Sequence, residues 1–273
     1  MRLAAIAIVI AACHHGHATL SCPPAVADSE ALLGHGASLV FGEIHGTQQI
    51  PAAIGAMTCA AAATHDVVVG LEIWRTEQAR LDAYLASDGG PAARKELLAG
   101  GFWTRATQDG RSSEAMAGLI EHLRAWRAAG AHLELVAFDV GEAGEQSASD
   151  QAARERAMSE PLLAARRANA DATMIVLVGN LHARMTGGVS FAPDVTWMAQ
   201  YLARAIPNLA TFDAAYGRGT AWVCDQTSCG ERPWGRGDDA GPTRITQDPV
   251  LDKSYSGHLH VGAIAAGKPA TSQ

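Results

Sequence analysis

Four short apolar runs, each separated from the next by a helix-like segment, constrain this chain more than any other feature. They span residues 37–41, 67–71, 133–138 and 174–178, and are rich in Val, Ile, Leu and Phe. Strands that stay apolar with little in–out alternation are covered on both faces. The segments between them read as helices: 50–63, 76–86, 112–129, 150–168 and 195–205. The third of these is capped by Ser112-Ser113-Glu114 and carries Met116, Leu119, Ile120, Leu123 and Trp126 on one stripe. This alternation implies an α/β fold: a mainly parallel sheet with helices on both faces. Two later runs, 209–214 and 220–224, lie closer together and suggest an antiparallel C-terminal edge hairpin.

Each of the four apolar runs ends in an ionisable residue. His45 follows the first, in Gly42-Glu43-Ile44-His45-Gly46, and Glu72 follows the second, in Gly70-Leu71-Glu72-Ile73. Asp139 closes the third. His182 follows the fourth, in Gly179-Asn180-Leu181-His182. Ligands of open α/β sheets bind outside the carboxyl ends of the strands, so one site holding all four groups is expected. The Gly-x-x-His spacing recurs after the first and fourth runs, and glycine lets the chain turn sharply as it leaves the sheet. Arg111, Arg154, Arg156 and Arg184 fall near the same face. Among them Arg184, two residues past His182, is best placed to hold an anionic group or orient Glu43. Taken singly, each residue has a structural alternative: Glu72 as a helix cap, Asp139 as a turn former, the arginines as solvated ion pairs.

The first residues read as an export signal: Arg2, a short apolar segment over 3–10, then Ala11-Ala12-Cys13. Ile10-Ala11-Ala12-Cys13 resembles the bacterial lipobox, in which the cysteine is lipidated. The expected organisation is a signal peptide over 1–12 and a lipid-anchored tether over 13–30. A single α/β domain over 31–266 and a disordered tail over 267–273 follow. His14, His15 and His17 belong to the tether. The chain has five cysteines. With Cys13 lipidated, four remain, and the short separation of Cys224 and Cys229 pairs them, leaving Cys22 with Cys59. A thiolate zinc site is the rival, without a Cys-x-x-Cys spacing to support it. A lipid-anchored protein of the bacterial cell envelope, facing the periplasm or outer membrane, is the expected localisation.

Several classes are excluded. A hydrophobic content of 48% is too high for a disordered chain. A net charge of −7 without a basic block argues against nucleic acid. No phosphate-binding glycine loop points to a nucleotide, and no Gly-x-Ser-x-Gly elbow points to a serine hydrolase. A small-molecule or peptide substrate is the expected partner, with the membrane reached through the lipid.

The paired motifs Gly42-Glu43-Ile44-His45 and Gly179-Asn180-Leu181-His182, with Glu72 between them, resemble the superfamily of erythromycin esterases, Tiki metalloproteases and ChaN haem-binding lipoproteins. The likeness runs from about Leu32 to Ala214. An esterase-like branch implies water activated by His45 as general base, with Glu43 or Glu72 orienting it. His182 and Arg184 then serve the oxyanion, with Arg156, Arg111 and Asp139 around the substrate. A Tiki-like branch implies a divalent metal, zinc or manganese, on His45, His182 and Glu72. A ChaN-like branch implies haem binding rather than catalysis, although none of Tyr84, Tyr201, Tyr216 or Tyr255 matches a haem-ligating position. The expectation is an extracytoplasmic hydrolase acting on an ester, lactone or amide, with small-ligand or haem binding as the alternative.

Overall fold

The computed structural model describes residues 19–141, 148–225, 227–237, 241–247 and 253–271, with backbone alone for 148–150. The signal segment and the lipidation expected at Cys13 lie outside these residues. Strands β1 (Ser38–Glu43), β2 (Val67–Trp74), β3 (Leu133–Asp139) and β4 (Thr173–Gly179) form from the four apolar runs. They alternate with helices α1 (Gln49–Ala62), α2 (Gln78–Leu85), α3 (Pro91–Leu98), α4 (Gly101–Thr104), α5 (Glu114–Ala128) and α6 (Ala148–Ala168). After α7 (Met198–Ala203) come β5 (Ala210–Ala215), β6 (Gly219–Cys224), β7 (Cys229–Trp234), β8 (Arg244–Gln247) and β9 (Gly257–His260).

Seven strands make one sheet in the order β3-β2-β4-β1-β5-β9-β8, parallel except for β8. The two-residue period of a strand sends alternate side chains to opposite faces, and two cores result. Leu39, Phe41, Val69, Leu71 and Ile175 pack beneath α1, α2 and α5. Val40, Val68, Phe138, Met174 and Val176 pack beneath α6 and α7. The expected mainly parallel sheet with helices on both faces is the observed one. An antiparallel hairpin joined by Cys224–Cys229 is also present, but it pairs the run 220–224 (β6) with β7 in a separate two-stranded sheet, while the run 209–214 becomes β5 of the main sheet, parallel to β1. The antiparallel edge of the main sheet is β8, and β9 with His258 and His260 lies between it and β5.

Two segments are more ordered than their composition suggests. Residues 19–30, part of the expected tether, are fastened to α1 by Cys22–Cys59, bury Val26, and pair through Ala27 with Thr243 and Ile245. Residues 267–271, assigned to a disordered tail, run along the loop before α5: Glu114 N–H donates to the Lys268 carbonyl, and Ala270 N–H to the Ser112 carbonyl. Backbone pairing, which residue composition does not report, orders both. Among the described residues no helix is long and apolar enough to cross a membrane.

Candidate active site at the strand ends

The four strands that carry the expected ionisable groups are neighbours in the sheet, so their carboxyl ends form one rim. Glu43 is the last residue of β1, and the chain then turns through Gly46, whose φ of 90° favours glycine. A Cβ there would lie 2.0 Å from the Trp222 carbonyl oxygen, so no side chain fits. The turn aims His45 back over the sheet, with Nδ1 3.1 Å from Glu43 Oε1 and Nε2 3.5 Å from Glu72 Oε2. Glu72 lies within β2 rather than beyond it, where the pairing with β3 shifts register between Leu71 and Trp74. Gly179 N–H donates to Glu72 Oε2 at 2.7 Å. A Cβ on Gly179 would sit 3.1 Å from His45 Nε2 and 3.3 Å from His182 Cδ2. Both imidazoles therefore converge over this bare glycine.

Behind the imidazoles stands a layer of buried ion pairs. Arg111 Nη1 donates to Glu72 Oε1 at 3.0 Å and to Asp139 Oδ2 at 2.8 Å, while Asp109 holds the rest of its guanidinium. Arg154 Nη2 lies 3.0 Å from Asp139 Oδ1 and 3.4 Å from Glu72 Oε1. His182 Nδ1 meets Glu155 Oε1 at 2.7 Å. Tyr216 closes the β1 side, its hydroxyl accepting from Ile44 N–H at 2.7 Å. The cleft in front holds about 310 Å³ and is lined by Glu43, His45, Asp109, Asn180, His182 and Val223, among others.

This arrangement sets the charges. Burial opposes the imidazolium of His45, but Glu72 and Glu43 outweigh it and raise its pKa to about 10. Burial likewise opposes charge on Glu72, yet His45, Arg111 and His182 hold its carboxyl well below the usual range. Glu43 differs: burial dominates the pull of His45 and pushes its pKa up. His182 loses by burial and gains more from Glu155 and Glu72, so its pKa also rises.

Linkage turns these shifts into a prediction. The stabilisation from charged His45 is complete below its unfolded value of 6.5 and is lost as pH rises to about 10. Glu72, depressed, contributes above 4.5 and ceases to as pH falls. Thermal melts should show the wild type losing stability from neutral pH toward pH 10, and His45→Gln losing less. Parallel curves for the two proteins would contradict this assignment.

Of the residues expected here, His45, Glu43, Glu72, His182, Arg111 and Asp139 come together, joined by Arg154. Arg184 and Arg156 do not. Arg184 Nη2 donates to Ser254 Oγ at 2.7 Å and stacks over Tyr255, because the turn after His182 carries it away from the cleft. Arg156 is exposed on α6 beside Glu160, since two helical positions separate it by more than half a turn from Arg154. Sequence reasoning missed Glu155, Asp109 and Tyr216. Glu155 had a signal: it occupies the helical stripe of Met158, Leu162 and Ala165, where an acid is out of place.

The expected metal set, His45, His182 and Glu72, does not suit a divalent ion. Two guanidiniums already face Glu72 Oε1, and Gly179 N–H takes Oε2. Among the described residues no group of three His, Cys, Asp or Glu side chains is arranged to hold a metal. The cleft of about 310 Å³, lined by Ile44, Leu181 and Val223 as well as by charged groups, lies at the small end for a ligand as large as haem. The tyrosine hydroxyls of Tyr84, Tyr216 and Tyr255 are engaged with Glu121, Ile44 and Asn180.

No protein-family model and no curated protein sequence matches the chain. Solved structures do resemble it. A histidine-to-asparagine mutant of the erythromycin esterase EreC, in its open conformation, superposes with a TM-score of 0.64 at 13% identity, covering 89% of this chain and 94% of that one. A succinoglycan biosynthesis protein gives 0.66 at 10% identity over 87% and 90%. A Bacillus cereus protein gives 0.63 at 10% identity over 89% and 92%. Likeness at these identities is likeness of fold, and the fold expected from the paired motifs is the one these proteins share.

Proposed function

We propose that this chain is a hydrolase that uses water against an ester, lactone or amide, without a resident metal or haem. The observation that carries the reading is the Glu43–His45 pair, which opens on the cleft and is backed by Glu72. The esterase that shares the fold adds support. Two disulfides support an oxidising compartment outside the cytoplasm.

The charges divide the work. His45, between two carboxylates, keeps its proton at neutral pH and acts as a donor rather than the base expected from sequence. Glu43 lines the same cleft, its buried Oε2 has no hydrogen-bond partner among the described residues, and burial raises its proton affinity. Glu43 therefore takes a proton from water as the water oxygen bonds to the substrate carbonyl carbon. The carbonyl electron pair moves to oxygen, and the His45 imidazolium stabilises that oxyanion. Arg111, Arg154 and Asp139 keep Glu72 fixed and charged, so the imidazolium needs no rearrangement during the reaction.

Glu43→Gln keeps the shape and removes the base. Its kcat on 4-nitrophenyl acetate, a six-membered lactone and an N-acetyl peptide is expected to fall by roughly 10²–10⁴ on whichever the wild type hydrolyses. Wild-type protein inert toward all three, or a variant within a few-fold of wild type, would overturn the proposal.

A further inference from the structure

Glu155 has no solvent exposure. A carboxylate in that setting is stable only if its lone pairs are engaged, and here they are. Oε1 receives the Nδ1–H of His182 at 2.7 Å and the Gln151 amide at 2.5 Å. Oε2 receives Met198 N–H, at the start of α7, at 2.8 Å. None of these bonds reaches the cleft, so Glu155 acts on chemistry only through His182. The indole of Trp197 meets the His182 ring edge-on, with centroids 6.4 Å apart. The ring is thus held by α6 and α7, not by its own loop alone. With Nδ1 committed to Glu155, Nε2 is the nitrogen left for other partners: it lies 3.9 Å from Glu72 Oε1 and 3.5 Å from Arg154 Nη1. The spacing over Gly179 places this ring beside His45, each imidazole with its own carboxylate on the far nitrogen.

We infer that Glu155–His182 is a second carboxylate–imidazole pair, in which Glu155 is a positioning residue and His182 is the acid that protonates the leaving group. The inference rests on the hydrolytic reading above and deepens it by naming a substrate class. Two pairs separate two tasks: Glu43 and His45 serve water and oxyanion, while His182 serves the departing atom. When the tetrahedral intermediate collapses, the bond from carbon to the leaving oxygen or nitrogen breaks. The electron pair stays on that atom, which takes the proton from His182 Nε2. The imidazole then regains a proton from solvent through the open cleft, and Glu43 releases to solvent the proton it took from water. An aryl ester with an electron-withdrawing ring needs no such help, because its aryloxide leaves unprotonated. An acid fixed this firmly matters for strongly basic leaving groups, so the substrates selected are alkyl esters, lactones or amides.

The test compares leaving groups in wild type, Glu155→Gln and Glu155→Asp. For Glu155→Gln, hydrolysis of an alkyl ester or amide should fall by roughly 10²-fold or more, while 4-nitrophenyl acetate falls less than about tenfold. Glu155→Asp, which keeps the charge, should recover part of the alkyl activity. A merely structural role would depress both substrates by the same factor, and that result overturns the inference. A second readout does not depend on activity: the imidazole ¹⁵N shifts of His182, followed against pH. A lower midpoint in Glu155→Gln supports the pair even if no ester proves to be a substrate. An unchanged midpoint overturns it.

Discussion

Replacing Glu72 by alanine is expected to abolish hydrolysis and to lower stability by about 3–5 kcal/mol, the usual cost of stripping one partner from a buried ion pair. The expectation follows from how much converges on one carboxylate. Glu72 is 5% exposed and meets Arg111 at 3.0 Å, Arg154 at 3.4 Å, His45 at 3.5 Å and His182 at 3.9 Å. Its Oε2 also satisfies Gly179 N–H. Without it, the buried guanidiniums of Arg111 and Arg154 each lose an acceptor, and the two imidazoles over Gly179 lose the carboxylate they share. His45, left with Glu43 alone, would hold its proton less firmly and stabilise the oxyanion less.

Glu72→Gln separates charge from shape. The amide oxygen can still accept from Gly179, but its NH₂ would confront either guanidinium or imidazole donors. Stability should therefore fall by less than in the alanine variant, while activity falls nearly as far. Denaturant unfolding of the three proteins, with hydrolysis measured at the same pH, checks both parts. An alanine variant within about 1 kcal/mol of wild type would mean that the surrounding charges re-pair without loss, contrary to the general penalty for isolated buried charges.

The rim of the site was legible because buried parallel strands advertise themselves as apolar runs, and an ionisable group directly after such a run has few places to go. Glu43, His45, Glu72, Asp139 and His182 could be placed together on that ground alone. What surrounds them could not. Arg154 and Arg156 are nearly equivalent in sequence, yet a helix turns about 100° per residue, so only one faces Asp139. Arg184 is two residues from His182, but the turn there (Arg184 N–H to the Leu181 carbonyl) directs it to Ser254. Glu155 reaches His182 across 27 residues of sequence, a contact that depends on how α6 docks on the sheet. Helix docking is set by the sum of many apolar contacts in the second core, and no local pattern encodes its result.

Ending the chain at Ala266 should cut hydrolysis by about 10²-fold, the scale expected when reacting groups are misplaced by roughly an ångström. Among the described residues removed, 267–271, the hydrogen bonds go to the two loops that do the placing. Gly267 N–H donates to the Gly46 carbonyl at 2.8 Å, on the turn that aims His45, and the same carbonyl accepts from Trp222 N–H of the β6–β7 hairpin. Lys268 and Ala270 bond to Glu114 and Ser112, while Thr271 donates to the Trp103 carbonyl and accepts from Gln108. These bonds frame the segment that carries Asp109 and Arg111. Each contributes about 0.5–1.5 kcal/mol net, so the melting temperature should fall as well. Ala270→Pro provides the finer control: it removes one N–H donated to Ser112 and leaves the rest of the segment in place. Activity there should drop while most of the stability remains, because the loop loosens without the fold opening. If both proteins match wild type in melting and in hydrolysis, the segment is the passive tail its composition suggests, and Gly46 is held by the hairpin alone.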